Sequence, residues 1–169
     1  MANTYELLAS TTVGVAGTSA IDFTLIPATY TDLIVKMSTR SNKADVDQLY
    51  KVEFNGSSAS YTSRRIDSDG SSAPTSGSST IIYAIGTGNN ATASTFGNCE
   101  IYVTDYATSN YKCVSVDGVS ETNATNVGLT VAAGLWSNSA AINRITLTPN
   151  GGQTILQYST AYLYGVKNA

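Results

Sequence analysis

From Tyr5 to Val166 the chain alternates apolar and polar residues in short runs, each closed by a cluster of Gly, Ser, Thr, Asn or Pro. A period of two is the mark of a half-buried antiparallel strand, because successive strand side chains point to opposite faces. In Asp32–Arg40, Leu33, Val35 and Met37 share one face, expected inward, while Ile34, Lys36 and Ser38 share the other. Tyr50, Val52 and Phe54 take the inward role in Gln48–Phe54, which breaks at Asn55-Gly56. Asn-Gly is the strongest short hairpin signal, so a hairpin into Tyr61–Ile66 is expected. Further strands are predicted at Ala20–Leu25, Thr80–Ile85, Asn98–Thr104, Lys112–Val116, Val127–Ala133, Arg144–Thr148 and Thr160–Val166. Helical spacing is sustained nowhere beyond two turns, although Lys43–Leu49 fits one short turn. About eight to ten strands with turns at close intervals read as an all-β chain, an antiparallel sandwich or barrel.

One segment interrupts the rhythm. Asp67–Ser79 is rich in Gly and Ser and has almost no side chain able to pack in a core, so it is expected to be an exposed loop. Neither flank offers a separate core, and residues 1–169 are expected to form a single domain, a size that buries about 70% of its unfolded surface.

Composition narrows the function classes. The chain has 169 residues, a formal net charge of -3 and no histidine. It therefore lacks the positive field that drives binding to phosphate backbones, and nucleic acid is not expected as a partner. A mean hydropathy of -0.03 and no long apolar stretch argue against both disorder and a helical membrane span. Met1–Glu6 has neither a basic nor an apolar signal region, so no secretory leader is read. The triplets at Asn55, Asn90 and Asn123 then mark exposed turns and not modification sites. Cys99 and Cys113 lie in different predicted strands and are read as two buried thiols in preference to a disulfide, whose Cα distance the sequence leaves open.

Enzymatic chemistry without histidine needs paired carboxylates, a metal cluster, an activated Lys or Cys, or a phosphate-cradling loop. Asp45 and Asp47, with Asp67 and Asp69, have the alternate carboxylates of a calcium loop but no closing glutamate, and capping of turns is the preferred reading. Arg64 and Arg65 are adjacent, so on a strand they face opposite sides, and an ion pair with Glu53 or Asp67 is expected. Glu100 with Glu53 or Asp105 would be the pair for glycoside hydrolysis, but nothing in the sequence brings them together. No catalytic, metal or cofactor-binding residue is assigned. Tyrosine is abundant, 11 residues against 3 Phe and 1 Trp. Tyr102, Tyr106 and Tyr111 cluster around one strand, and Tyr158, Tyr162 and Tyr164 lie near the C-terminus. Such residues serve sheet packing, sugar stacking or subunit contacts alike. Trp136 follows the small-residue run Ala132-Ala-Gly134 and is expected in the core or at a subunit contact.

The run Ile21–Leu33, following Tyr5–Ala9, resembles the opening of a family of small virion proteins from tailed bacteriophages, many of them from aquatic bacteria. Phe96–Val103, Asp117–Thr125, Ala133–Ser137, Ile145–Thr148 and Gln157–Gly165 resemble that family's later motifs in the same order. The resemblance implies a jelly-roll β-sandwich placed on the capsid, in head fibres or on the tail, with no catalytic residues. At Cys99 and Cys113 relatives are expected to carry small or apolar residues, in keeping with core packing. The expectation is a non-enzymatic, homo-oligomeric (dimeric or trimeric) capsid decoration protein. It would dock on the major capsid protein and reside on the virion surface after assembly in the host cytoplasm, with no membrane partner. The absence of a stalk favours decoration over the alternative, a fibre module that holds a surface glycan with loop-borne Tyr, Asn and Asp.

Overall fold

Alternation along the chain becomes two antiparallel sheets packed face to face. The computed structural model describes residues 4–69, 75–121, 123 and 127–167, and among these the chain forms twelve strands and no helix. In chain order they are β1 (Tyr5–Thr12), β2 (Ile21–Phe23), β3 (Asp32–Thr39), β4 (Asp47–Phe54), β5 (Tyr61–Ser68), β6 (Thr75–Ser79), β7 (Ile82–Thr87), β8 (Gly97–Val103), β9 (Lys112–Glu121), β10 (Val127–Trp136), β11 (Ile145–Pro149) and β12 (Thr160–Val166). One sheet has eight strands in the order β1-β12-β3-β8-β9-β10-β5-β6, the other four in the order β2-β11-β4-β7.

The connectivity is that of a jelly roll. With β5, β6, β9 and β10 set aside, the remaining strands run first, eighth, third, sixth in one sheet and second, seventh, fourth, fifth in the other. This is two interlocked Greek keys. Two inserted hairpins, β5–β6 and β9–β10, widen the larger sheet beyond β8.

The core lies between the sheets. Leu33, Val35 and Met37 from β3 and Tyr50, Val52 and Phe54 from β4 are buried there, as the alternation predicts. Trp136 stacks on Tyr61 at 6.1 Å between centroids and meets Phe54 at 5.6 Å, which places it in the core. On the widened part, β7 packs against β9, β10 and β5. The approach is close because glycine faces it: a Cβ on Gly118 would stand 2.5 Å from Ile85, and one on Gly134 would stand 2.7 Å from Ile82. Where the small sheet stops, Arg65 lies over the Tyr83 ring at 5.4 Å and pairs with Asp67 at 2.7 Å.

Buried cations hold the loops at the two ends of the sandwich. The Arg40 guanidinium donates to the carbonyls of Asn89, Ala91, Thr92 and Thr95 at 2.8–3.1 Å, ordering the β7–β8 loop. The Lys112 ammonium donates to the carbonyls of Thr108 and, more distantly, Asn138, tying the β8–β9 loop to the β10–β11 loop. Each cage satisfies a charge that burial would otherwise penalise.

Several expectations are corrected. Asn55-Gly56 does form a turn, with φ of 54° and 69°, but no hairpin follows, since β4 and β5 belong to different sheets. Residues 55–60 instead cross the sandwich. The Tyr61 ring enters the core, and its hydroxyl accepts from Phe54 N at 2.7 Å, while the Asn55 amide reaches Ala141, Asn143 and Arg144 in the β10–β11 loop. Lys43–Leu49 makes bends and the start of β4 rather than a helical turn, because Gln48 and Tyr50 face inward in a strand. The strand predicted to reach Leu25 stops at Phe23, and Leu25 turns outward at φ 56°. Strand content exceeds the eight to ten expected, through β1 and β6. The second of these lies in the predicted loop 67–79: Asp67 and Ser68 finish β5 and Thr75–Ser79 pairs with it, while residues 70–74 lie outside the described residues. An edge strand needs only backbone hydrogen bonds to one neighbour, so a segment without core side chains still qualifies.

Candidate docking face

Every second residue of the larger sheet points away from the core, and the antiparallel registers line these residues up across strands. One row runs Leu7, Tyr164, Ile34, Tyr102, Ser115, Ala133, Arg64. The next runs Ser10, Tyr162, Lys36, Glu100, Asp117, Val131, Ile66, and a third brings Val119 beside Leu129. Of the exposed large apolar and aromatic side chains among the described residues, seven stand in strands, and all seven lie on this face: Tyr5, Leu7, Tyr162, Val119, Leu129, Val131 and Ile66. The other four, Val15, Leu25, Tyr111 and Tyr158, stand in loops.

The face has two halves. On the jelly-roll half, Tyr5, Ile34, Lys36, Glu100 and Tyr164 line a shallow depression of about 310 Å³. Lys36 and Glu100 pair across its floor at 2.7 Å, which raises the pKa of the lysine above its ordinary value. Beside it Tyr102 donates to the Asp32 carboxylate at 2.7 Å, and this hydrogen bond, with burial, pushes the phenol up to about 12. Asp32 also accepts from Asp105 N at 2.9 Å, so one carboxylate fixes both an aromatic of the face and the chain after β8. On the inserted half Val119, Leu129, Val131 and Ile66 stand out among Ser115, Asp117 and Arg64, with Val131 62% and Ile66 56% exposed as direct neighbours. A broad recess of about 830 Å³ follows at the end of β5 and β10, lined in part by Arg64, Ser79, Ala133 and Leu135. Neighbouring exposed apolar side chains of this kind mark a candidate site of association.

The chain matches no known protein family, no curated protein and no solved structure. The reading of the face therefore rests on its own geometry.

That geometry separates the residues singled out in the sequence. Glu100 points outward from the larger sheet and Glu53 outward from the smaller, so the sandwich stands between them, and Asp105 sits in a turn after β8. No pair for hydrolysis assembles from these three. Asp45 and Asp47 share Lys43 at 3.0 and 3.4 Å, and Asp67 is held by Arg65 and by the Thr130 hydroxyl at 2.8 Å. Asp69 lies just past β5, and among the described residues no group of three or more His, Cys, Asp or Glu is arranged to hold a metal. Arg64 and Arg65 do face opposite sides, and the pairing expected with Asp67 is made by Arg65.

The tyrosines divide. Tyr106 is buried, its hydroxyl donating to Pro27 O and accepting from Tyr30 N at 3.3 Å, whereas Tyr111 and Tyr158 are exposed in loops at opposite ends of the larger sheet. The cysteines divide too. Cys99 is buried, and desolvation pushes its thiol up to about 12, but Cys113 is exposed. The reading of two buried thiols fails at Cys113 because Lys112, Val114 and Val116 take the inward positions of β9. Asn55 is half-buried in its turn, and Asn90 and Asn123 are exposed. The apolar face itself was missed in the sequence, although Val119, Leu129 and Val131, each outward beside an inward Gly, Ser or Thr, and Ile66 between Arg65 and Asp67 carried its signal.

Proposed function

We propose that this chain is a non-enzymatic virion structural protein of a tailed bacteriophage, which decorates the capsid by docking on the major capsid protein. The observation that carries the reading is the outer face of the eight-stranded sheet, where seven exposed apolar and aromatic side chains are gathered. The order of segments resembling phage virion proteins supports the choice of partner. Flat, repeated contact suits such a face. A modest contact holds when many copies sit on a lattice and when the subunits also join one another, since avidity multiplies weak affinities. Binding only the assembled shell then stabilises it against disassembly.

Cryo-electron microscopy of the purified virion, reconstructed with capsid symmetry and locally at the tail, tests this. The expected result is density for the jelly roll at repeated positions with the larger sheet facing the shell. Density confined to the tail or to a vertex fibre overturns decoration in favour of receptor binding. Decorated and undecorated shells with equal resistance to heat and low salt overturn the stabilising role. The alternative is a fibre module that holds a surface glycan with loop-borne Tyr, Asn and Asp; its exposed loop tyrosines, Tyr111 and Tyr158, lie at opposite ends of the larger sheet.

A further inference from the structure

The two edges of the larger sheet are protected differently. At one, β1 carries a bulge between Leu7 and Ala9, and Glu6 holds Lys167 at 3.1 Å. Irregularity and charge are how natural edges avoid foreign strands. At the other edge, β6 is Thr75-Ser-Gly-Ser-Ser79, and the sequence from Gly70 to Thr80 contains no charged residue. Among the described residues no strand pairs with the outer side of β6. In the smaller sheet, the edge at β2 is only 3 residues long, and Thr87 of β7 is bridged to Arg40. Of the two edges of the larger sheet, β6 is the one that carries neither a bulge nor a charged residue.

We infer that β6 pairs with β6 of a second copy of this chain, antiparallel about a twofold axis through Gly77, so that two eight-stranded sheets become one. The sequence is self-complementary under that operation. Thr75 stands opposite the partner's Ser79, and Ser76 stands opposite the partner's Ser78. No like charges meet, and Ser and Thr cross-strand pairs are favourable. The contact is isologous and closes at two copies, which removes the edge as a template for open-ended aggregation. A second copy fits better than a foreign strand for a further reason. Ile66 and Val131 lie one and two strands in from β6, so the dyad sets the aliphatic patches of both copies on one continuous face. The inference does not depend on what that face docks on.

Gly77 gives direct access to the axis. Its backbone is not left-handed, and a Cβ there would stand 3.6 Å from Arg65 Nε, an ordinary contact. Gly77→Cys in a Cys113→Ser background puts two thiols across the axis within disulfide range. Mild oxidation should convert most of this variant to a covalent dimer, while Ser58→Cys in the same background, at an exposed loop position, remains largely monomeric. Sedimentation of the unmodified protein should show a monomer–dimer equilibrium. Ser76→Lys with Ser78→Lys, which brings ammonium groups opposite one another, should weaken it by about tenfold. The folded state of each variant is checked by its thermal transition. An unmodified protein that stays monomeric up to its solubility limit overturns the inference and leaves the docking proposal standing. So does a dimer that resists the lysines and fails to cross-link at position 77, because its interface then lies elsewhere.

Discussion

The two outer faces of the sandwich arise from the same alternation and end in different states. On the four-stranded sheet, Asp22 is gripped by Arg144 at 2.7–2.8 Å and by the Thr146 hydroxyl at 2.8 Å, and Lys51, Glu53 and Thr148 fill the neighbouring outward positions. That face is finished against water. On the eight-stranded sheet, the outward positions hold tyrosines at one half and Val119, Leu129, Val131 and Ile66 at the other, with Lys36–Glu100 as an ion pair between them. The difference shows that a period of two tells which residues share a face, whereas the chemistry of the outward set tells whether the face is meant for solvent.

The comparison is broken most completely from beneath, since both faces rest on one core. Trp136→Ala should cost about 3–5 kcal/mol in denaturant unfolding, because the ring fills the space between Phe54 and Tyr61. A loss under about 1 kcal/mol would mean that the ring is not packed as described.

The next test separates the faces. Val131→Glu with Leu129→Glu should lower binding to undecorated shells by at least tenfold, about 1.4 kcal/mol, while unfolding free energy moves by no more than about 0.5 kcal/mol per site. The control, Lys51→Glu with Thr148→Glu on the smaller sheet, should leave binding unchanged in a co-sedimentation assay. Equal losses from both pairs would erase the distinction between the faces.

Alkaline stability is a finer probe. Tyr102, held by its hydrogen bond to Asp32, and Tyr61 and Cys99, held by burial, are each pushed up to about 12. Their unfolded counterparts ionise near 10 for tyrosine and about 8.5 for cysteine. The folded state therefore keeps protons that the unfolded state releases, and stability should be full below about pH 8.5 and fall as pH rises towards 12. Urea midpoints across this window should decline, and Tyr102→Phe should make the decline shallower. An unchanged slope would show that Tyr102 does not keep its proton through Asp32.

The smallest effect belongs to the finished face. Arg144 holds Asp22 below the ordinary carboxylate range, so the pair's contribution is present above the unfolded value near 3.9 and is lost as pH falls through the folded value. Both side chains are substantially exposed, and Asp22→Asn should cost less than about 1 kcal/mol at neutral pH. A larger loss in thermal unfolding would mean that this face is organised more tightly than a solvated surface.

Much of the fold was legible along the chain. The inward sets of β3 and β4 and the opposite faces of Arg64 and Arg65 follow from side-chain period, and Asp67 was one of the two ion-pair partners that neighbouring charge offered, whereas the run before Trp136 left a core position and a subunit contact both open. The errors share one cause. Asn55-Gly56 turns as its residues demand, yet the strand after it joins the other sheet. Cys113 is outward because Val114 and Val116 are inward, a choice of phase that a run bounded by Lys112 left open. Thr75–Ser79 becomes a strand with no apolar residue to announce it.

The sequence alone determined that the chain is all-β and which residues share a face, since alternation and turn chemistry are written in side chains within a few positions of each other. Tertiary structure decided which sheet each strand joins, that two inserted hairpins widen one sheet beyond the jelly roll, and that the apolar outward residues of β5, β9 and β10 meet as one surface. Those outcomes depend on backbone hydrogen bonds between segments far apart in the chain. Nearly every residue carries the same N–H and C=O, so no local run of side chains spells out its partner.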